Sequence, residues 1–156
     1  GDYELHVSPD FIVSPYLHAS FDFHRFVDFR DGENDFSGND LTGVPDKRIS
    51  AGIRFHYGNG LWLYSGYECT GSMPMNDANT LYSEEWNLLN LKMGYRKEFS
   101  GHFSAEANVG VNNVADEKYA SSILINATSA GGAEPRYYYP GMPRNYYGGV
   151  KLRYIF

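Results

Sequence analysis

The sequence predicts an all-β fold made of about seven antiparallel, up-and-down strands of a transmembrane β-barrel. Three observations predict it. Apolar and polar residues alternate along segments of about 10–13 residues, which is the length of a tilted strand crossing a bilayer. No apolar run approaches the roughly 18 residues that a membrane helix needs. The mean hydropathy is only −0.47, which suits a barrel because only every second residue faces lipid.

The clearest alternation lies in the last segment, residues 144–156, which reads RNYYGGVKLRYIF. From residue 146 onward the even positions are apolar or aromatic: Tyr146, Gly148, Val150, Leu152, Tyr154 and Phe156. The odd positions include the two cations and the amide: Asn145, Tyr147, Gly149, Lys151, Arg153 and Ile155. A period of two with this composition predicts a strand between an apolar and a wet environment.

Six further strands are predicted by the same alternation, over residues 2–8, 16–28, 47–57, 61–70, 86–99 and 102–112. The strand 61–70 is ambiguous, because Trp62 and Tyr64 interrupt its pattern. Glu68 favours placing the even positions of that strand on the polar face. Charges on the polar faces would each need a partner in a dry core, but they need none in a hydrated lumen.

The predicted connections alternate between short and long along the chain. They cover residues 9–15, 29–46, 58–60, 71–85, 100–101 and 113–143. In outer-membrane barrels, short turns are periplasmic and long loops are extracellular, so the long connections are expected outside the cell. A soluble sandwich has no reason to sort its loops in this way. Seven strands leave two open edges, which lipid does not tolerate. We therefore expect either an eighth strand or a longer barrel of which this chain is the C-terminal part.

Composition argues against several other classes of protein. The net charge of −6 disfavours nucleic acid as a partner, because phosphate binding requires clustered Lys and Arg. Cys69 is the single cysteine, so it forms no intrachain disulfide and no cysteine-based metal cluster. No nucleophile elbow or comparable motif gathers Ser, His and Asp. We therefore expect no catalytic residue, no metal and no cofactor, and the chain is not expected to be an enzyme. The chain opens without a signal peptide, as expected of a mature exported protein or of a chain whose beginning is missing.

Motifs near the end of the chain resemble a known family. Residues 113–119 read NVADEKY, residues 138–150 read YYPGMPRNYYGGV, residues 154–156 read YIF, and residues 41–45 read LTGVP. The first three segments, in this order, resemble the C-terminal end of TonB-dependent outer-membrane receptors, with their N-L-x-D-x-x-Y box, Y-x-P-G-x-P-R-x-Y segment and final aromatic residue. Residues 41–45 resemble the l-x-G-x-P step that precedes a barrel strand in the same family. The chain departs from the family at Val114, where leucine is usual. A second departure is Asp46, where a basic residue often follows the proline.

The resemblance implies a fold and a function. Such receptors are 22-stranded barrels whose N-terminal plug domain fills the lumen, and they import iron chelates (siderophores), vitamin B12 or glycans with energy delivered by TonB. Residues 1–156 would then be the C-terminal portion of the barrel domain, roughly its last third, without the plug or the TonB box. The implied partners are outer-membrane lipid, the remainder of the barrel, the plug, the TonB complex through the missing N-terminal part, and the barrel-insertion machinery.

The same motifs contain the candidate site residues. The residues expected to act structurally are Asn113, Asp116, Tyr119, Pro140, Gly141, Pro143 and Arg144. Asn113 and Asp116 are expected to stabilise the turn after a strand through side-chain to backbone hydrogen bonds. The candidate ligand-binding residues of an extracellular loop are Arg136, Tyr137, Tyr138 and Tyr139. The expected assembly signal consists of Val150, Leu152, Tyr154 and Phe156.

Two alternatives stay open at the level of sequence. The first is a complete eight-stranded outer-membrane barrel with an adhesion, structural or lipid-enzyme role, whose missing strand would lie in residues 119–135. The second is a soluble β-sandwich that acts as a binding module.

Overall fold

A computed structural model describes residues 3–129, 135 and 137–155, and in these the chain is all-β. No described segment forms a helix of the length and apolarity that crossing a membrane would require. The strands are β1 (Leu5–Ser8), β2 (Phe11–Phe21), β3 (Arg30–Asp31), β4 (Asn34–Asp35), β5 (Lys47–Tyr57), β6 (Leu61–Thr70), β7 (Trp86–Ser100), β8 (Phe103–Asn112), β9 (Ala120–Ile123), β10 (Tyr138–Pro140) and β11 (Asn145–Tyr154).

Seven strands form one antiparallel sheet in the order β1-β2-β5-β6-β7-β8-β11. Each main strand lies beside the one that precedes it along the chain, and the small hairpins β3–β4 and β9–β10 are inserted in two of the long connections. The predicted all-β, antiparallel, up-and-down arrangement is therefore confirmed. The sheet does not close: within the described residues β1 pairs with β2 alone and β11 with β8 alone.

Strand boundaries agree with the prediction where alternation is strong. The predicted strands 47–57 and 61–70 have the observed bounds of β5 and β6. The prediction for β2 is wrong: the strand covers Phe11–Phe21, not 16–28, because it pairs residue for residue with β5 and ends where β5 begins. Pro15 is tolerated inside β2 because β1 pairs only as far as Val13, so that among the described residues one side of β2 has no partner strand beyond that point.

The predicted long loop 113–143 contains the hairpin β9–β10. Residues 120–123 pair with Tyr138–Pro140 and not with the main sheet, so among the described residues the range 119–135 supplies no eighth strand. The predicted alternation of short and long connections is present. Because neighbouring strands are antiparallel, the short turns all lie at one end of the strands, and the described residues of 22–46, 71–85 and 113–144 all lie at the other end.

One face of the sheet is apolar across all seven strands. The register places in a single row Leu5, Val13, Phe55, Leu63, Met93, Val109 and Gly148. Side chains on this face are open to solvent, with exposed fractions of 69% for Leu17, 58% for Val109 and 75% for Val150. A wide apolar surface of this kind is uncommon on a soluble monomer.

The opposite face carries charged and aromatic side chains. Tyr64 of β6 lies in register between Arg54 of β5 and Lys92 of β7, which agrees with placing the even positions of β6 on the polar face. The Arg54 guanidinium lies 5.8 Å from the centre of the Tyr64 ring. The Lys92 ammonium lies 5.5 Å from the Trp62 ring and 5.7 Å from the Tyr147 ring, close enough for attraction to both.

Three aromatic rings on this polar face each cover a glycine of the neighbouring strand. A Cβ atom added to any of these glycines would come within 2.4 Å of the ring. The pairs are Tyr16 over Gly52, Trp62 over Gly94 and Tyr147 over Gly110. Each ring occupies the space that a side chain would fill and shields the backbone beneath it, which is a known way to stabilise glycine in a sheet.

Alanine at Gly94 is expected to destabilise the sheet, because its Cβ would overlap the Trp62 ring. Overpacking of this kind costs about 1–3 kcal/mol of unfolding free energy. The matched control is Gly149→Ala on the same face, whose Cβ would lie at an ordinary 3.5 Å from Asn108. Denaturant unfolding followed by tryptophan fluorescence measures both variants. Equal midpoints for the two variants would contradict the packing described here.

Candidate functional site

The three long connections form one hydrogen-bonded unit, here called the long-loop cluster (the described residues of 22–46, 71–85 and 113–144). Asp77 lies at its centre. The Asp77 carboxylate accepts hydrogen bonds from the Thr42 hydroxyl and from the Asn126 amide, the latter at 2.8 Å. The Asp77 backbone amide donates to the side-chain oxygen Oδ1 of Asn126 at 3.1 Å, and the Asp77 backbone carbonyl accepts from the Asn39 side chain at 2.7 Å. One residue thus joins all three connections.

Further bonds between connections surround Asp77. The Asn79 side chain accepts from the Asp40 amide at 2.6 Å and donates to the Asp40 carbonyl at 3.0 Å. Backbone bonds of 2.9 Å run from Gly43 to Pro74 and from Asn126 to Met75. Asn79 and Asn126 have positive φ values of 53° and 50°, a conformation that asparagine adopts more readily than most residues. The cluster therefore has a definite structure built on polar contacts.

The turn after β8 is organised by Asn113, which is only 2% exposed. Its side chain accepts from the Glu117 amide at 2.8 Å and donates to the carbonyls of Glu117 and Met142 at 2.8 and 3.1 Å. The Asp116 carboxylate accepts from the Arg144 amide at 2.8 Å. The side-chain to backbone bonds expected of Asn113 and Asp116 are therefore present, and they connect the start of the connection to its end.

Tyr119 and Gly141 also connect the start of this connection to its end. The Gly141 amide donates to the Tyr119 carbonyl at 2.7 Å, and a Cβ atom added to Gly141 would lie 2.2 Å from the Tyr119 ring. The same ring lies 4.9 Å from the ring of Trp86, the first residue of β7. Glycine is required at 141 because the ring leaves no space for a side chain.

A cleft of about 610 Å³ opens beside these residues. Its aromatic walls are Tyr82, Trp86, Tyr119 and Tyr138. Its charged residues are Glu84, Glu85, Asp116, Glu117 and Lys118. Pro140, Gly141 and Pro143 also line it, so much of the predicted structural motif forms one wall. The cleft lies at the end of the strands where the long connections emerge.

The predicted ligand-binding residues have different positions. Tyr138 lines the cleft and is 62% exposed. The exposed Tyr139 does not line it, and its carbonyl accepts from the Ser121 hydroxyl at 3.2 Å. The Tyr137 carbonyl accepts from the Leu124 amide at 2.7 Å. Arg136 lies outside the described residues.

Sequence reasoning missed Tyr82, Trp86, Glu84 and Glu117 as residues of the cleft. Trp86 begins a strand and Glu84 belongs to the preceding connection, so no local pattern related either residue to Tyr119. The assembly signal predicted at the end of the chain lies on β11, where Val150, Leu152 and Tyr154 are on the exposed apolar face. Phe156 lies outside the described residues.

The electrostatics of the cleft are dominated by carboxylates. Partial burial of the phenol, followed by the nearby Asp40 carboxylate, raises the pKa of Tyr82. The Glu85 carboxylate forms an ion pair with the Lys47 ammonium group, with 2.6 Å between Oε2 and Nζ. Within the described ranges, no group of three or more His, Cys, Asp or Glu residues is arranged to hold a metal ion.

None of the known protein-family profiles matches this chain. The likeness to TonB-dependent receptors therefore depends on the motifs quoted above and stays a prediction.

Two substitutions of Asn113 separate what its hydrogen bonds contribute to stability from the cost of a positive φ at this position. Asn113→Ala removes the buried amide and leaves alanine at a positive φ of 52°, so we expect a loss of about 2–4 kcal/mol. Asn113→Gly loses the same hydrogen bonds but tolerates the backbone angle, so it should be more stable than the alanine variant by about 1 kcal/mol. Denaturant unfolding measures both. A glycine variant no more stable than the alanine variant would contradict the strain assigned to Asn113.

Asp77→Ala is expected to separate the three connections without unfolding the sheet. The amides of Gly43 and Asn126, which bond across connections, should exchange with deuterium at least about tenfold faster. Amides within β5 and β6 should keep their protection. The control is Glu33→Ala, on the exposed β3–β4 turn. If Gly43 and Asn126 exchange equally fast in both variants, Asp77 does not hold the cluster together.

Proposed function

We propose that this chain forms part of the wall of an outer-membrane β-barrel and serves as the C-terminal barrel segment of a TonB-dependent nutrient receptor. The observation that carries the proposal is the apolar face, which is continuous across seven strands and exposed. Burying apolar surface in lipid is favourable by about 25 cal/mol per Å². A bilayer would cover the whole face at once.

The polar face supports the same proposal. Arg54 and Lys92 lie in the middle of the sheet among tyrosine and tryptophan rings. A second apolar layer packed on this face would desolvate both cations, which is costly without a partner. A hydrated lumen would leave them solvated. This contrast between the two faces favours a barrel wall over a soluble β-sandwich.

The open edges of the sheet support a larger barrel. Among the described residues, β1 and β11 each pair on one side only, and lipid would leave the other side of each strand with unsatisfied backbone groups costing several kcal/mol apiece. The proposal therefore includes further strands that pair with β1 and β11. The family resemblance suggests 22 strands in total, with a plug in the lumen and a connection to TonB.

The long-loop cluster and the short turns suggest an orientation. Outer-membrane barrels have long loops outside the cell and short turns in the periplasm. The cluster and its cleft would then face the medium, where a receptor meets a nutrient such as an iron chelate, a vitamin or a glycan. We propose transport and binding for this chain, and no catalysis.

The first test compares two neighbouring residues of β5 that lie on opposite faces. Ile53→Lys places a charge on the lipid-facing side, where it costs about 2–4 kcal/mol at the midplane. Arg54→Ala changes only the proposed lumen side. Outer membranes from cells expressing each variant are run on gels with and without heating. We expect Ile53→Lys to abolish or weaken the heat-modifiable band and Arg54→Ala to keep it. Equal effects would contradict the proposed lipid-facing side.

A further inference from the structure

The cleft beside Tyr119 combines aromatic walls with an excess of negative charge. Among its described lining residues, four carry a carboxylate and one carries an ammonium group. Two of these carboxylates already have a partner: Glu85 forms an ion pair with Lys47 at 2.6 Å, and Asp116 accepts a hydrogen bond from the Arg144 backbone amide. The other two carboxylates that line the cleft are those of Glu84 and Glu117. The cleft therefore presents negative charge beside aromatic rings.

The surrounding connections are acidic as well. Residues 22–46 contain seven carboxylates and two arginines, and residues 71–85 contain three carboxylates and neither lysine nor arginine. A surface with this charge raises the local concentration of cations and repels anions. An anionic ligand would meet repulsion both during its approach and in the cleft itself.

Aromatic rings select among cations. The rings of Trp86 and Tyr119 lie 4.9 Å apart with an angle of 46° between them, while Tyr82 and Tyr138 are 44% and 62% exposed. Ring faces attract organic ammonium groups, and quaternary ammonium recognition commonly combines several rings. A volume of about 610 Å³ lies within the usual range for small-molecule sites.

We propose that this cleft binds an organic cation, with an alkylammonium group held between the aromatic walls and the carboxylates of Glu84 and Glu117. The inference deepens the proposed receptor function by naming a ligand class. It rests on that function only for the position of the cleft outside the cell. Binding itself depends on the cleft alone.

Choline is the probe, since its trimethylammonium group carries a permanent charge. The matched neutral probe is 3,3-dimethyl-1-butanol, in which carbon replaces the charged nitrogen. The chain is refolded in detergent as the Trp62→Phe variant, so that Trp86 is its one fluorescent tryptophan, and it is titrated at constant ionic strength. Calorimetry on the unsubstituted chain repeats the measurement without any substitution.

We expect saturable binding of choline, with the neutral isostere at least about fivefold weaker. Glu84→Gln and Glu117→Gln should each weaken choline binding by about fivefold, while Glu98→Gln, on β7 near the short turn at the opposite end of the sheet, leaves it unchanged. Absence of saturable choline binding, or equal affinity for the neutral isostere, would overturn the inference.

The two proposals fail separately. A protein that forms a heat-modifiable barrel but does not bind choline would refute only the ligand class. A protein that binds choline but folds without detergent and never enters the membrane would refute only the receptor function.

Discussion

The antiparallel register of β5, β6, β7 and β8 is the constraint on which the other features of this molecule depend. Side chains alternate across a strand, so a slip of one residue would move every apolar side chain of that strand to the polar face. The glycines beneath the rings help to specify the register. Trp62 faces Gly94 and Tyr147 faces Gly110, and a slipped strand would bring each ring against a side chain instead. Packing on the polar face thus keeps the apolar face uniform.

The sheet also determines where the irregular chain collects. Because each short turn reverses the chain at one end of the strands, the long connections all emerge at the opposite end and can contact one another. They do so through polar groups, above all the Asp77 carboxylate and the side chains of Asn79 and Asn126. The buried side chains of Pro45 and Met75 lie in the same connections. The cleft forms where one of these connections folds back over the start of β7, with Tyr119 against Trp86.

What the sequence predicted follows the range of the interactions involved. Period-two alternation is local, so β5 and β6 were predicted with their observed bounds. The bonds of Asn113 to Glu117 are also local and were expected. The limits of β2 were not predicted, because its pairing with β5 sets them across a long connection. The cleft and the Asp77 contacts were missed for the same reason, since Thr42, Asp77 and Asn126 are far apart in sequence and no periodicity links them.

The strict alternation of short and long connections has a consequence for how such a sheet can change during evolution. Losing or gaining one strand would move every later connection to the other end of the strands, and a long connection would then emerge among the short turns. Losing or gaining two adjacent strands together leaves every later connection at the same end of the strands as before. The β7–β8 pair, joined by a short turn, is such a unit. The number of strands in this architecture is therefore expected to change in steps of two.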